Sequence, residues 1–517
     1  MFILARESFA SVENVVSQEN CLWRWIKFLC LGLIAVNSQA VRAEDGKNPT
    51  RPNVIFIMAD DLGYTDLGCF GSRYYETPHI DQLARQGVRF LNHHHCQNCA
   101  PTRAAIMTGQ YGPRTGVYTV GSIDRFDWQS RPLRPVENVE KLPLDPATIA
   151  QQVQRSGYQT GMFGKWHLGL NGSYHPSQRG FHEAVESSGQ HFNFKTTPAQ
   201  KDTEGKYLAD YLTDRAIDFI ERHQSEPFFL YLPHFGVHSP FQAKKEWIEK
   251  FENKPGVGGH RNPVYAAMIA SVDESVGRIL DKLDELKLAD KTVVIFASDN
   301  GGVGGYEREG LHKANDVTDN APLRSGKGSL YEGGTRVPLI VRWPGVAPAG
   351  VECRTPTIHV DLYPTFLEIT SAEHPGHPLD GESLVKLIKD PGAKLHREAI
   401  FQHFPGYLGS GQNQWRTTPV SLIQSGDWKL MEFLEDGRLE LYNLTSDVGE
   451  QKNLAATYPD KVNELQSRLK AWREEIKAPM PAKNASPSES NNGVRKGRAS
   501  QKKSQKGKAK AAASSED

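Results

Sequence analysis

The sequence predicts an α/β fold, a large sheet covered by helices, followed by a smaller C-terminal α+β subdomain. From Pro52 to about Ile388, apolar β-rich runs alternate with stretches of helical spacing. After about residue 390 the alternation gives way to short strands in succession and one closing helix. The chain has 517 residues, 38% hydrophobic and 24% charged, which is enough for a large domain plus a smaller one.

The elements follow in order. Arg24 and Lys27 precede Phe28 to Val36, an apolar run too short to span a bilayer. Val41-Arg42-Ala43 places small residues at cleavage positions, and Glu44 begins a polar segment. Residues 1–43 therefore read as an export signal, with residues 1–20 an atypical extension ahead of it. The product is expected in a periplasmic, secreted or lumenal space, with no integral membrane segment after cleavage. A buried core helix is the competing reading of the apolar run.

Residues 50–388 are expected to form the larger domain. Val54 to Met58, Pro227 to Leu232 and Thr292 to Ala297 read as buried strands, and Tyr158 to Phe163 as a weaker one interrupted by Gly161. Asp273 to Leu286 has helical spacing, with Val276, Ile279, Leu280 and Leu283 on one face. Residues 389–480 are expected to form the subdomain. Ala399 to His403, Val420 to Ile423, Trp428 to Leu434 and Arg438 to Leu444 read as antiparallel strands, with a turn at Glu435-Asp436-Gly437. Pro459 to Ile476 reads as a helix with Val462, Leu465, Leu469 and Trp472 in register. Residues 481–517 read as a disordered tail with a basic block from Arg495 to Lys510, solvated or held to a polyanion.

The 61 basic and 61 acidic residues balance, so no global charge draws the chain to nucleic acid or membrane. Cys21 and Cys30 leave with the signal. Cys69, Cys96, Cys99 and Cys353 are too few for a disulfide scaffold. Cys69 and Cys96 are candidates for a bridge, although spacing alone does not fix pairing.

Open α/β sheets gather ligands at the carboxyl ends of their strands. Here four expected strands run into polar clusters at that end: Asp60-Asp61, then Lys165-Trp166-His167, then His234 with His238, then Asp299-Asn300-Gly301-Gly302. Each alone is an ordinary loop; four on one sheet are a site. Asp60, Asp61, Asp299 and Asn300 offer only hard oxygen, which suits one Ca²⁺ ion first and Mg²⁺ second. Lys165, His167 and His238 are candidates for anion binding and proton transfer. Lys327 joins them in Ser325-Gly326-Lys327-Gly328, where glycines let backbone approach a ligand. His93-His94-His95 reads mainly as structural, because sequence neighbours point in different directions.

Cys99-Ala100-Pro101-Thr102-Arg103 precedes Ala104-Ala105-Ile106-Met107-Thr108-Gly109. Pro101 suits the first turn of a helix, which puts Cys99 at a helix N-terminus. There the helix dipole favours negative charge on Cys99 or on a bound anion, with Arg103 one turn along.

At this motif the chain resembles the type I, formylglycine-dependent sulfatases, arylsulfatase-like members of the alkaline-phosphatase-like superfamily. Their signature, Cys-x-Pro-x-Arg followed by Thr-Gly, stands here as Cys99 to Arg103 with Thr108-Gly109; Thr102 replaces the more frequent Ser. The resemblance runs on through Asp60-Asp61, Gly164 to Gly169, His238, Asp299-Asn300-Gly301, Gly326-Lys327-Gly328 and Tyr331-Glu332-Gly333-Gly334, in the family's order over about residues 50–475. It implies a large mixed sheet sandwiched by helices. It implies that a formylglycine-generating or sulfatase-maturating enzyme oxidises Cys99 to Cα-formylglycine (3-oxoalanine). One hydroxyl of the aldehyde hydrate would attack sulfur and expel the alcohol. Deprotonation of the other would re-form the carbonyl and expel sulfate. Asp60, Asp61, Asp299 and Asn300 would hold Ca²⁺ beside residue 99. Arg103 would stabilise the hydrate, and Lys165 and Lys327 would neutralise sulfate charge. His167 would be the base for sulfate elimination; His238, aided by Lys327, would protonate the leaving oxygen. Lys165, His238 and Lys327 would thus also bind the substrate, an aryl sulfate or a sulfated carbohydrate.

Three other readings compete. Cys96-Gln97-Asn98-Cys99 is formally C-x-x-C and would suit zinc or a redox disulfide, but no second pair completes such a site. A formylglycine-dependent phosphodiesterase or phosphonate hydrolase is the alternative within the same superfamily. A pseudoenzyme that binds sulfated ligands is the third. Which ester is cleaved is set by loops; His403, Trp415 and Arg416 are candidates to face the pocket, with no motif to place them.

Overall fold

The computed structural model describes residues 51–485 apart from 312–315 and 412–413. The expected export signal and the basic block lie outside the described residues. Eight strands form one sheet: β1 (Asn53–Ala59), β2 (Val88–Phe90), β3 (Gln159–Gly164), β4 (Glu183–Glu186), β5 (Phe228–Pro233), β6 (Thr292–Ser298), β7 (Leu339–Arg342) and β8 (Val351–Cys353). Their spatial order is β8-β2-β7-β6-β1-β5-β3-β4. β6, β1, β5, β3 and β4 run parallel. β7 is antiparallel to β6, and β2 to β7, so the sheet is mixed, as expected.

The apolar run of β1 is buried along its whole length because both faces are covered. The covering helices include α1 (Pro78–Arg85), α2 (Cys99–Thr108), α3 (Ile149–Arg155), α4 (Leu208–Arg222), α5 (Pro263–Glu285) and α6 (Leu362–Thr370). Ile55, Ile57 and Ala59 pack with α1, α4 and α5. Val54, Phe56 and Met58 point the other way and pack with α2, α3 and α6. Truncating such a residue, Ile57→Ala for example, costs about 2–5 kcal/mol.

Three elements differ from the sequence reading. The expected disordered tail begins ordered, since Ala482–Lys483 pairs antiparallel with Leu133–Arg134 and Asn484 N–H donates to Pro132 O at 2.8 Å, which ties its first residues down. α5 starts at Pro263, well before Asp273. Asn262 caps it by accepting from Val264 and Tyr265 N–H groups, at 3.0 and 3.1 Å. Its first turns are buried on all sides (Tyr265 to Ala270), which erases the one-sided periodicity. Gly161 does not interrupt β3. A Cβ there would lie 2.9 Å from the Phe219 ring, so the missing side chain makes room for α4.

The C-terminal part is antiparallel. β9 (Ile400–Phe404), β12 (Val420–Ser425), β13 (Trp428–Phe433) and β14 (Leu439–Asn443) form one sheet, and β10 (Leu408–Gly411) and β11 (Gln414–Thr417) a separate hairpin. Gly437, with φ 73°, makes the expected turn between β13 and β14. α7 (Pro459–Glu475) lays Val462, Leu465, Leu469 and Trp472 on Ile400, Ile423, Leu430 and Leu441. The same cluster takes in Ala105 and Tyr111. Helix α2 is therefore wedged between the large sheet and the C-terminal sheet, and all its residues are buried.

The candidate Cys69–Cys96 bridge does not form; Cys69, Cys96, Cys99 and Cys353 are free. Cys69 packs on the core shared with α1 and α5, whereas Cys96 lies 3.6 Å from His359 Nε2. Cys96 and Cys99 also diverge, since Cys99 Sγ faces Lys327 Nζ at 3.7 Å, which removes the C-x-x-C reading.

Candidate active site

The strands β6, β1, β5 and β3 are consecutive in the sheet, so the four clusters at their carboxyl ends meet. Asp60 and Asp61 follow β1. Lys165 and His167 follow β3, and His238 lies in the loop after β5. Asp299 and Asn300 follow β6. Asp61 and His167 have left-handed backbones, φ 65° and 62°, and so does Ser325 beside the Lys327 loop, at 61°. Non-glycine residues reach this region at a conformational cost, and such strain gathers where side chains must be aimed.

The charges interlock. Lys165 Nζ lies 2.5 Å from Asp60 Oδ2, and Lys327 Nζ 2.6 Å from Asp61 Oδ1. Arg103 donates to Asp299 Oδ2 at 2.7 Å and to the Lys165 carbonyl at 2.6 Å. Asp299 Oδ1 accepts the Asp61 N–H at 3.1 Å, and Asn300 Nδ2 donates to Asp61 Oδ1 at 2.8 Å. His238 Nε2 is 3.7 Å from Asp61 Oδ2. His234, by contrast, turns to Ser275 Oγ at 3.0 Å, under α5 and away from the site.

These contacts set the protonation states. Burial opposes ionisation of Asp60 and Asp61, but Lys165 beside the first and Lys327 beside the second hold both below the usual carboxylate range. Asp299 is pushed up to about 7 by burial and by the Asp60 charge. Burial and the Lys165 and Arg103 charges hold His167 well below an ordinary histidine, so its ring is neutral. Burial also pushes the Cys99 thiol up to about 12, despite Lys165 and Lys327. Desolvation therefore outweighs the two lysine charges at this helix N-terminus. An unmodified Cys99, 1% exposed, is a protonated thiol and a poor nucleophile at neutral pH.

The Lys327 loop is held by backbone. Lys327 N–H donates to Gly302 O at 3.0 Å, and Gly328 N–H to Gln97 O at 2.7 Å. A Cβ on Gly326 would lie 2.2 Å from Gly304 O, so only glycine lets these chains touch. The side chains that fasten this loop escaped the sequence reading. Asn320 Nδ2 donates to the carbonyls of Gly302, Gly304 and Ser325, at 3.1 to 3.2 Å. Tyr306 donates its hydroxyl to Lys327 O at 2.7 Å. His191, which burial holds neutral at about 4, donates to the His238 carbonyl at 2.8 Å. No local pattern announces any of the three.

Ligand atoms of Asp60, Asp61, Cys99 and His238 lie within 4.8 Å of one another. Asp60 Oδ1 and Asn300 Oδ1 are buried with no hydrogen-bond partner among the described residues. Oxygen donors left open beside Cys99 fit a hard divalent cation. Asp299 stands apart from that group, since its two oxygens already accept from Asp61 and Arg103.

The other candidates separate. His93 bonds Thr357 and His95, at 2.8 and 2.9 Å, and His94 bonds Glu332 at 3.1 Å, all in the interior. His403 is buried between Ser421 Oγ and Pro479 O, at 2.7 and 2.9 Å. Trp415 packs on Tyr407 and Phe126. Arg416 alone of the three reaches the Lys327 loop, over the Tyr306 ring.

A family model described as Sulfatase matches residues 52–372, and one described as N-sulphoglucosamine sulphohydrolase, C-terminal, matches residues 326–478. A protein described as a sulfatase from Formosa agariphila is 33% identical, over 83% of this chain and 90% of its own. An N-acetylgalactosamine-6-O-sulfatase from Bacteroides thetaiotaomicron is 28% identical, over 85% of this chain and 97% of its own. The solved structure of Ps i-CgsB in complex with k-i-k-neocarrahexaose is similar at 28% identity and a TM-score of 0.69, covering 86% of this chain and 96% of that one.

Proposed function

The chain belongs to the sulfatase family and is a sulfuric ester hydrolase, and on that premise we propose that it removes sulfate from a carbohydrate with residue 99, oxidised to formylglycine, as nucleophile and one Ca²⁺ ion as cofactor. The observation that carries this reading is the convergence on Cys99 of Lys327, Asp60, Asp61 and His238, with two buried oxygens left unpartnered among the described residues. The relative acting on N-acetylgalactosamine-6-O-sulfate and the neighbour holding a neocarrahexaose support a sulfated sugar as substrate.

Asp60, Asp61 and Asn300 would hold the cation, with Asp299 joining if its carboxylate turns from Arg103. A bound divalent cation supplies acidification of a neighbouring hydroxyl and charge for a sulfate oxygen. The oxidised residue supplies, as its hydrate, two hydroxyls on one carbon, which a thiol does not.

The chain's own residues do the rest. Lys165 and Lys327 bring two fixed cations to the sulfate without needing to reorganise. Arg103, whose charge Asp299 secures against burial, fixes the Lys165 backbone through its carbonyl. His167 is neutral, and its buried Nδ1 has no hydrogen-bond partner among the described residues, which leaves that nitrogen open to a proton. His238 is partly exposed, beside Asp61, where a leaving oxygen could take a proton from it.

The test is peptide mass analysis of residue 99 in protein made with a maturation enzyme, together with rates on an aryl sulfate and a panel of sulfated sugars. An aldehyde at residue 99 in active protein is expected. A fully active sample with an intact thiol would sink the nucleophile assignment, and activity on no sugar would sink the substrate assignment. Among the described residues no helix is long and apolar enough to cross a membrane.

A further inference from the structure

The hairpin β10–β11 carries Arg416 from the C-terminal part of the chain onto the loop that bears Lys327. Its Cζ sits 4.3 Å from the centroid of the Tyr306 ring. That ring is fixed, since its hydroxyl donates to Lys327 O at 2.7 Å. A Cβ on Gly328 would lie 3.1 Å from Arg416 Cδ, so the arginine stem lies directly over the residue after Lys327. Lys327 Nζ is in turn 3.7 Å from Cys99 Sγ. Arg416 thus stands against the loop whose lysine reaches Cys99.

Its neighbours show what is missing. Arg324 pairs with Glu309 at 2.9 Å, and Arg131 with Glu435 at 2.5 Å. Among the described residues no carboxylate pairs with Arg416, and its Nε is buried without an acceptor. Buried donors normally find a partner, and an orphan needs a reason. Stacking on an aromatic face orders a guanidinium and leaves its planar fork free for a carboxylate or sulfate. Packing alone would account for the stack but not for the orphaned donor.

We propose that Arg416 receives a second anionic group of the substrate, a sulfate or a carboxylate on the sugar that bears the scissile ester or on the sugar next to it. The proposal rests on the carbohydrate reading above and narrows it to a sugar with two anionic groups. The ester engages Lys165 and Lys327; the second anion engages Arg416 one residue beyond Lys327.

The experiment compares the full-length, oxidised enzyme with Arg416→Ala and Arg416→Lys. Two matched substrate pairs are used: a hexosamine with one or two sulfates, and a monosulfated sugar with or without an adjoining uronate. Within each preparation the ratio of kcat/KM for the doubly charged over the singly charged member is read, so a misfolded fraction cancels. Loss of a charge-assisted bidentate pair should lower that ratio about 10- to 100-fold in Arg416→Ala. Arg416→Lys should recover part of it, because the charge remains. The pair that responds tells sulfate from carboxylate. A ratio changed by less than about threefold in both pairs overturns the proposal. If the parent cleaves an aryl sulfate and no sugar, the carbohydrate reading fails. The same saccharides are then tested as competitive inhibitors, and the ratio of their inhibition constants decides the role of Arg416 by the same rule.

Discussion

Two of the buried charge clusters among the described residues invite comparison. One gathers Asp60, Asp61 and Asp299 against Lys165, Lys327 and Arg103 at the strand ends. The other gathers Glu332 and Glu450 against Lys429 and Arg336, with His94, between the Tyr331-Glu332-Gly333-Gly334 segment and the C-terminal sheet. Charges balance in both, and in both burial shifts the acids from their ordinary values. Both leave atoms unpartnered among the described residues, and they differ in where those atoms lie. The Lys429 ammonium donates to Glu332 Oε1 at 2.8 Å and Leu330 O at 2.9 Å, lies 2.8 Å from Glu450 Oε1, and is shut from solvent; the atoms this cluster leaves without a hydrogen-bond partner among the described residues, Glu450 Oε1 and His94 Nδ1, lie inside it. The strand-end cluster leaves Asp60 Oδ1, Asn300 Oδ1 and His167 Nδ1 without partners among the described residues, at the strand ends that also hold Cys99. Perturbed acids and orphaned atoms therefore do not by themselves mark a candidate site; their gathering at the carboxyl ends of strands around a candidate nucleophile does.

The comparison can be broken in order of expected effect. Stripping divalent metal from the oxidised enzyme should lower aryl sulfate turnover by about 10³-fold or more, since several kcal/mol of charge stabilisation goes. Calcium should restore it. Full activity with metal shown absent by elemental analysis would remove the cation from the first cluster.

His167→Ala and His238→Ala should each lose about 10²- to 10⁴-fold, in different ways. Without His167, a stoichiometric burst of released alcohol should precede slow turnover. Without His238, the defect should be worse for a sugar sulfate, a poor leaving group, than for an aryl sulfate. Equal defects on both substrates and no burst would reduce the two rings to binding groups.

Lys429→Met should act on stability rather than chemistry. Removing one partner of a buried ion pair costs about 3–5 kcal/mol because it strands the other charge. Denaturant unfolding should show this, with kcat per folded molecule lowered less than about tenfold. A loss of kcat as large as that of His167→Ala, in protein that melts normally, would make the second cluster part of the machinery.

The smallest effect is a slope. Burial, with the neighbouring Glu332 charge, holds Glu450 at about 7 in the fold, against 4.5 for an ordinary glutamate. The folded state then binds the proton more tightly than the unfolded chain, so this contribution to stability is full at low pH and is lost as pH rises from about 4.5 to about 7. Glu332, held below its ordinary value mainly by Lys429 against burial, has the opposite sign and loses its contribution as pH falls. Melting temperature followed from pH 5 to 8 should therefore decline less steeply in Glu450→Gln than in the parent. Parallel slopes would contradict the raised carboxyl.

Much of this was legible in the chain. β1, β5 and β6 are buried on both faces, and that writes a continuous apolar run into the sequence. The polar residues closing those runs then mark one edge of one sheet. Cys99 to Arg103 is legible because a helix start and its anchoring arginine lie within five residues. What was not legible depends on contacts distant in sequence. The first turns of α5 are buried all round, so no stripe appears. Leu408-Gly-Ser-Gly411 has too little side chain to read as a strand, although it forms the hairpin with Trp415 and Arg416. Asn320 looks like any turn asparagine until three carbonyls from separate loops are brought to its amide.

The burial of helix α2 has a consequence in time. Its walls include strands near residues 400–443 and a helix ending at Glu475, all synthesised long after Cys99. Once those segments close, Cys99 is 1% exposed and out of reach of another protein's catalytic groups. If Cys99 is to be oxidised enzymatically, the modifying enzyme must meet the chain while it is still unfinished or unfolded, and read a short extended stretch rather than a shaped surface. Maturation and folding are then in a race. A variant that folds faster, or one exported already folded, would emerge intact in shape and unoxidised at residue 99.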